Sequence, residues 1–256
     1  MTTGTATGTA TAVVTGAGRG IGLATARRFV ADGYDVLMLD RDPDPLLGAA
    51  RDLGARAQVL DVADAGAVAA LPELAGDCAV LVNNAAVTYY TDLLDTDAAG
   101  ARAVLDVNVV AVLLVTRALV PAMAARGGGS VVNLSSVTAA AHPPGTGLYS
   151  TSKAAVEALT RAFALELGPL GVRCNAVAPG MVPTEGSADH YGDEAERAAR
   201  AAVLPLGRLG VTADVTAAIA WLASPEAAWV TGQVLRVDGG YSVAGAHFAR
   251  LARGNA

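Results

Sequence analysis

Short runs of β-branched and aliphatic residues recur along the chain at Ala12–Thr15, Asp35–Asp40, Ala57–Asp61, Ala79–Asn83, Ser130–Leu134, Arg173–Ala178 and Val234–Val237. Each has the length of a strand, and most are apolar throughout rather than alternating, as in strands covered on both faces. Between them, Gly20–Asp32, Pro43–Leu53, Ala65–Leu74, Ala98–Ala125, Ser150–Gly168 and Thr212–Ala223 carry alanine, leucine and arginine at helical spacing. Gly33, Gly54, Gly76 and Gly168 close several of these stretches, as glycine does at helix C-termini. Strand and helix alternating in this way predict an α/β fold, a doubly wound sheet of about seven parallel strands with helices on both faces. The expected domain spans residues 11–243, between a flexible threonine-, glycine- and alanine-rich leader at 1–10 and a C-terminal tail at 244–256.

In such a sheet, ligands collect outside the carboxyl ends of the strands, so the residues that follow each strand come next. After the first strand stands Thr15-Gly16-Ala17-Gly18-Arg19-Gly20-Ile21-Gly22. A glycine-rich turn leading from strand into helix lets backbone N–H groups and the helix N-terminus approach a pyrophosphate. The second strand ends at Asp40, where a carboxylate would accept hydrogen bonds from an adenosine ribose and repel a 2′-phosphate. That favours NAD over NADP, although Arg19 and Arg41 would hold a phosphate if Asp40 turned away. Asp61-Val62 follows the third strand and Asn83-Asn84-Ala85-Ala86 the fourth, the first suited to an adenine amino group and the second to close backbone approach. Ser135 and Ser136 end the fifth strand, so one hydroxyl points over the same edge of the sheet. Tyr149 and Lys153 then stack on one face of the next helix. A fixed cation beside a phenol favours the phenolate and draws its pKa toward the working range of an acid-base catalyst.

These motifs together resemble the short-chain dehydrogenase/reductase family over essentially the whole chain, from Thr11 to Val243. The resemblance rests on Thr-Gly-x-x-x-Gly-x-Gly at 15–22, Asp61-Val62, Asn-Asn-Ala at 83–85, Asn108, Ser136, Tyr-x-x-x-Lys at 149–153, Asn175 and Pro179-Gly180, all in order. One departure is Ala86 where the family most often has glycine, and alanine still permits close approach. The resemblance implies a Rossmann-type domain and a nicotinamide cofactor. It also implies four catalytic positions: Tyr149 as general acid or base, Lys153 holding the nicotinamide ribose and lowering the Tyr149 pKa, Ser136 polarising the substrate oxygen, and Asn108 holding a water that links Lys153 to solvent. The implied cofactor residues are Gly16, Arg19, Gly20, Ile21, Gly22, Asp40, Arg41, Asp61, Val62, Asn84, Ala85, Ala86, Tyr149, Lys153, Pro179, Gly180, Val182 and Thr184.

Composition narrows the partners. A net charge of −6 without a basic cluster argues against nucleic acid and anionic membranes. The longest apolar stretch, Val107 to Met123, is interrupted by Asn108, Thr116, Arg117 and Pro121, too short and polar to span a bilayer. Cys78 and Cys174 lack metal-ligand spacing and read as buried fillers, and His142, His190 and His247 lie far apart in sequence without carboxylate or cysteine partners at ligand spacing, so no metal is expected. The leader lacks the features of a signal peptide, which makes a cytoplasmic location the default. A small-molecule alcohol or ketone is the expected substrate.

Substrate choice falls to Val87–Thr91, Thr138–Leu148 and Met181–Leu206, the last forming a mobile cover in the family. Thr138, His142, Met181 and Tyr191 are the candidate substrate contacts, with Tyr89, Tyr90 and His190 as further pocket candidates. Acidic Glu185, Asp189, Asp193, Glu194 and Glu196 disfavour a strongly anionic substrate. The leading function is therefore NAD(H)-dependent interconversion of a secondary alcohol and a ketone, the substrate a cyclic, polyol or natural-product intermediate. An NADPH-dependent β-keto reductase of carrier-bound or free substrates is the alternative, and a nucleotide-binding sensor or scaffold without turnover a third. Alanine- and leucine-rich faces on Ala98–Ala125 and Ser150–Gly168 match those that pair subunits in relatives, which implies a homotetramer or homodimer.

Overall fold

Seven strands, β1 (Thr11–Thr15), β2 (Asp35–Asp40), β3 (Arg56–Val59), β4 (Cys78–Asn83), β5 (Gly129–Leu134), β6 (Val172–Pro179) and β7 (Val234–Val237), pair in parallel in the order β3-β2-β1-β4-β5-β6-β7. The chain is described here from a computed structural model covering residues 9–244, with backbone alone at Ala188 and Asp189. Most of the expected leader and tail thus lies outside the described residues. Within them, Ala244 is buried.

Helices α1 (Gly20–Ala31), α2 (Pro43–Leu53), α3 (Ala65–Ala69), α4 (Leu71–Ala75), α5 (Ala98–Leu105), α6 (Ala111–Ala125), α7 (Thr138–Ala141), α8 (Gly147–Leu167), α9 (Glu194–Ala202) and α10 (Thr212–Ala223) connect the strands. Because side chains alternate across a strand, each strand feeds two cores. Ala12 and Val14 of β1 join Phe29, Met38, Leu46 and Ile219 under α1, α2 and α10. Val13 between them joins Leu81, Leu119, Met123 and Phe163 under α6 and α8. Each fully buried side chain of this size contributes roughly 1.5–3 kcal/mol against exposure, so register errors are heavily penalised.

Strand ends fall within two residues of the sequence expectation, β3 stopping at Val59 rather than Asp61, and three helical stretches depart from it in ways that matter to the fold. The stretch Ala65–Leu74 divides into α3 and α4 because Pro72 has no N–H to give the preceding turn. Gly168 caps α8 in a right-handed conformation (φ −51), and the left-handed residue is Gly171 (φ +73), after a single 3₁₀ turn. The stretch Ala98–Ala125 is helical throughout, but Asp106–Val110 forms a π-helical turn between α5 and α6, with Ala111 N–H reaching back to Asp106 O. This 28-residue run has a window of mean hydropathy 2.1, yet Val115, Leu119 and Met123 face the sheet as part of the core.

Candidate active site

The chain winds from β1 outward through β2 and β3, then returns to the other side of β1 as β4, so the connections diverge between the ends of β1 and β4. A cleft of about 470 Å³ opens there. Gly16, Ile21, Asn84 and Ala85 line it near the strand ends, Asp40, Arg41 and Asp61 lie toward β2 and β3, and Thr184 and Ser187 bound it from the segment after β6. Arg19, Gly20, Val62 and Ala86 are further sequence-predicted residues in the lining, Leu60, Val87, Thr88, Val107, Gly186 and Ser187 are additions, and Gly22, Tyr149, Lys153, Pro179, Gly180 and Val182 do not line this cleft.

The turn after β1 is tight because it must be. Gly16 is left-handed (φ +63), and a Cβ on it would lie 2.8 Å from Ala85 Cα, while a Cβ on Gly22 would strike the Gly16 carbonyl. Gly22 therefore packs beneath the turn rather than lining the cleft. Asn84 Nδ2 donates to Thr15 O and Gly16 O at 3.0 and 2.9 Å, and Thr15 Oγ1 accepts from Asn84 N and Ala85 N at 2.9 and 3.0 Å. The two strand ends are thus bonded together around the cleft.

Asp40 accepts from Gly18 N at 3.0 Å and Asp42 N at 3.1 Å, which fixes a carboxylate beside the glycine turn. Arg19 pairs loosely with Asp42 at 3.9 Å, and Arg41 is exposed. Gly20 N, the first amide of α1, donates to the carboxylate of Glu185 at 3.1 Å. An anion already sits where the helix N-terminus favours one, its oxygen standing in for that of a phosphate. The tight turn, the anion position and the carboxylate at the β2 end fit a dinucleotide.

Beside this cleft the first turns of α8 bring Tyr149 and Lys153 to the end of β5. Lys153 is 3% exposed, and its Nζ donates to Leu134 O at 2.8 Å while lying 5.7 Å from the Tyr149 ring centroid. Burial lowers the Lys153 ammonium to about 8. Burial also pushes the Tyr149 phenol up; Tyr90 and Tyr191 add to the rise and a hydrogen bond with Ser136 opposes it. Without a further positive charge, desolvation outweighs the neighbouring ammonium, the reverse of the balance expected from the helix spacing. Ser136 Oγ accepts from Thr138 N at 3.2 Å and Thr138 Oγ1 at 3.0 Å, which aims its own proton away from α7. Ser135 turns the other way, to Glu157 at 3.0 Å.

Asn108 lies in the π-helical turn, 1% exposed. Its Oδ1 accepts from Val87 N at 2.8 Å, and its Nδ2 donates to Val87 O at 2.9 Å and Ser152 Oγ at 3.0 Å. The amide thereby links the segment after β4 to α8. Behind it, Asn83 Nδ2 reaches Thr116 Oγ1 and Asn133 Oδ1 at 3.0 and 2.9 Å, and Asn133 Nδ2 reaches Thr160 Oγ1 at 2.9 Å. This buried chain of amides joins β4 and β5 to α6 and α8, and no local sequence pattern announces it.

The segment after β6 lies over the site. Tyr191 is close enough to Tyr149 to raise its pKa, takes a backbone hydrogen bond from Val182, and carries Arg200 5.8 Å from its ring centroid. Met181 and Val182 face a second cavity of about 370 Å³, bounded by Leu204, Leu206, Ala217 and Val237, and Val182 is otherwise buried in the core. Pro179 ends β6, and Gly180 N donates to Val237 O at 2.9 Å. His142, left-handed at φ +45, is exposed at the end of α7. Both cysteines are buried and unpaired, their thiols pushed up to about 12 chiefly by burial. Among the described residues no cluster of histidine, cysteine and carboxylates has metal-binding geometry.

A protein-family model described as "Enoyl-(Acyl carrier protein) reductase" matches residues 16–242. Galactitol 2-dehydrogenase (L-tagatose-forming) of Cereibacter sphaeroides is 43% identical over 231 residues, covering 87% of this chain and 91% of the relative. A solved structure described as a short chain dehydrogenase/reductase family protein is 41% identical with a TM-score of 0.86, covering 91% of this chain and 97% of the other. A putative NAD(P) dependent gluconate 5-dehydrogenase from Beutenbergia cavernae, solved with bound NADP at low occupancy, is 36% identical with a TM-score of 0.86, covering 91% and 97%.

Proposed function

The chain belongs to the short-chain dehydrogenase/reductase family of oxidoreductases, and we propose on that premise that it interconverts a secondary alcohol and a ketone with NAD(H), Tyr149 moving the proton. The observation that carries this reading is the convergence of Tyr149, Ser136 and Lys153 beside a cleft fitted to a dinucleotide. The nicotinamide, when bound, supplies or accepts the hydride. In oxidation Tyr149 takes the hydroxyl proton at its phenolic oxygen, and in reduction it returns that proton to the carbonyl oxygen. Ser136, oriented by Thr138, donates to the substrate oxygen as charge develops there. Lys153 would hold the nicotinamide ribose, and it supplies positive charge close to Tyr149. Asn108 spends its amide on Val87 and Ser152, so we assign the water relay from Lys153 to the backbone of the π-helical turn that Asn108 holds in place.

Asp40 supports NAD, because its charge, held by two backbone amides, would meet a 2′-phosphate with like sign. Pro179, Gly180, Thr184 and the backbone of Val182 would hold the nicotinamide end. A polyol or cyclic alcohol is the substrate class supported by the galactitol 2-dehydrogenase relative. The description of the matching family model favours carrier-bound substrates as a second reading, which the exposed acidic residues Glu185, Asp193, Glu194 and Glu196 oppose. Exposed Leu105, Val110, Leu113 and Leu165 on α5, the π-helical turn, α6 and α8 support pairing of subunits into a homodimer or homotetramer. The unpaired cysteines go with a cytoplasmic setting. The test is turnover of polyols, cyclic alcohols and the matching ketones with NAD(H) and NADP(H) side by side. NAD(H)-linked turnover is expected, and preferential use of NADPH with β-keto thioesters would overturn the reading.

A further inference from the structure

Tyr90 stands edge-on to two rings. Its centroid lies 6.0 Å from that of Tyr149 at 74° and 4.4 Å from that of His190 at 81°. The three rings come from three separate parts of the chain: the segment after β4, the first turn of α8, and the 3₁₀ turn Ala188–Tyr191 in the cover after β6. The neighbouring Tyr89 does a different job. A Cβ on Gly100 would fall 2.7 Å from the Tyr89 ring and hydroxyl, so Tyr89 is seated against α5. With Tyr89 seated there and Val87 bonded to Asn108, the backbone on one side of Tyr90 is anchored. Tyr90 itself remains 45% exposed, so its ring has surface left for a ligand beside Tyr149.

An edge-to-face aromatic contact contributes about 0.5–1.5 kcal/mol beyond the area it buries. One such contact favours a closed position of the cover by a few-fold, yet breaks readily enough for substrate to enter and product to leave. A tyrosine wall also offers a flat apolar face with a hydroxyl at its rim, suited to compact molecules that carry both C–H and O–H groups.

We propose that Tyr90 determines substrate specificity: it walls the site next to Tyr149 and, through His190, latches the cover over it, selecting compact cyclic or polyhydroxylated alcohols over long-chain ones. The proposal rests on the reading of Tyr149 as the acid-base group. Tyr191 and Arg200 lie in the same cover, whose own fold is held by the Tyr191 contacts with Val182 and Arg200, so the Tyr90–His190 contact is the one that ties it to the segment after β4.

The latch is tested without substrate by timing trypsin cleavage at Arg197 and Arg200 of the cover. Tyr90→Ala and His190→Ala should each speed cleavage at least threefold, the double variant should be no faster than the quicker single one, and Tyr90→Phe should match wild type. Specificity is tested with galactitol, cyclohexanol and 2-octanol. Tyr90→Ala should raise KM for cyclohexanol or galactitol about tenfold and shift preference toward 2-octanol, while the Kd of NADH, read from its fluorescence, stays within twofold. Tyr90→Phe should restore cyclohexanol turnover. Wild-type cleavage rates in both alanine variants, or additive effects in the double variant, overturn the latch. Unchanged selectivity overturns the specificity role. If Tyr90→Ala does not fold, Tyr90→Leu, which also removes the ring, replaces it in both comparisons with the same expected and overturning results. Full activity in Tyr149→Phe would instead refute the acid-base reading beneath the proposal, while the cleavage result would still stand for the latch.

Discussion

Glu185 and Gly20 are bonded across the mouth of the cleft, the carboxylate accepting the first amide of α1 at 3.1 Å although 165 residues separate them. The carboxylate lies where the helix N-terminus would receive a diphosphate, and Gly186 and Ser187 beside it line the same cleft. A dinucleotide must displace this anion. Glu185→Gln should therefore tighten NAD(H) binding by roughly three- to tenfold, corresponding to about 1 kcal/mol for removal of an exposed like charge. Titration at low and high salt checks it: the gain should shrink as salt rises, and weaker binding in the variant would refute the competition.

Tyr149→Phe keeps the ring and its contact with Tyr90 while removing the oxygen. Turnover should fall by about 10²- to 10⁴-fold, the usual contribution of a positioned acid-base group. NAD(H) affinity, measured by fluorescence, should stay near wild type. Comparable turnover in variant and parent would sink the assignment.

Asp40 carries two tasks, repelling a 2′-phosphate and holding the glycine turn through Gly18 N and Asp42 N. Alanine removes both, so NAD binding should fall and the turn loosen. Asparagine removes the charge while keeping an acceptor, and is the cleaner probe. The ratio of kcat/KM for NADP to that for NAD should rise roughly tenfold in Asp40→Asn, with little change in Tm. An unaltered ratio would move cofactor choice to Arg19 and Arg41.

Asn108→Ala removes both bonds to Val87 and leaves its N–H and C=O without those partners. Val87 is half-buried, so each group so stranded costs about 1–2 kcal/mol, in the lower part of the usual range, giving a loss of roughly 2–4 kcal/mol for the two. In a chain of this size that lowers Tm by about 5–15 °C. Thermal melts check it, and a variant melting like the parent would refute the bridging role of the amide.

Lys153 is held near 8 by burial, below its ordinary 10.5. Below pH 8 the folded protein carries a buried charge that the unfolded chain would solvate, costing about 3 kcal/mol on the scale of 1.36 per unit. Between pH 8 and 10.5 the unfolded chain binds more protons than the folded one, so this contribution to stability rises with pH. Lys153→Met should accordingly be favoured relative to wild type at pH 7, and that advantage should shrink at pH 10. Urea unfolding at the two values measures it, and an advantage that grows with pH would contradict the sign.

Helix and strand periods, the glycine turn at 15–22, Asp40 at its strand end and the Tyr149–Lys153 spacing are all properties of short segments, so the sequence alone determined the sheet, the cleft and the kind of chemistry. Other features depend on contacts between distant segments. The acidic cover residues are evident from composition, but Glu185 becomes a competitor only because the cover folds back onto α1. Tyr89 and Tyr90 are adjacent in sequence, and only packing sends one to α5 and the other to Tyr149. Asn108 is one of several polar residues in a largely apolar helical stretch until its amide meets Val87 and Ser152. The Tyr149 pKa depends on burial, which is summed over every segment that covers it, whereas helix spacing reports only the nearest charge. Local pattern determined which groups are present, and the tertiary structure decided which of them face one another, because desolvation and long-range hydrogen bonds exist only once the chain has closed around them.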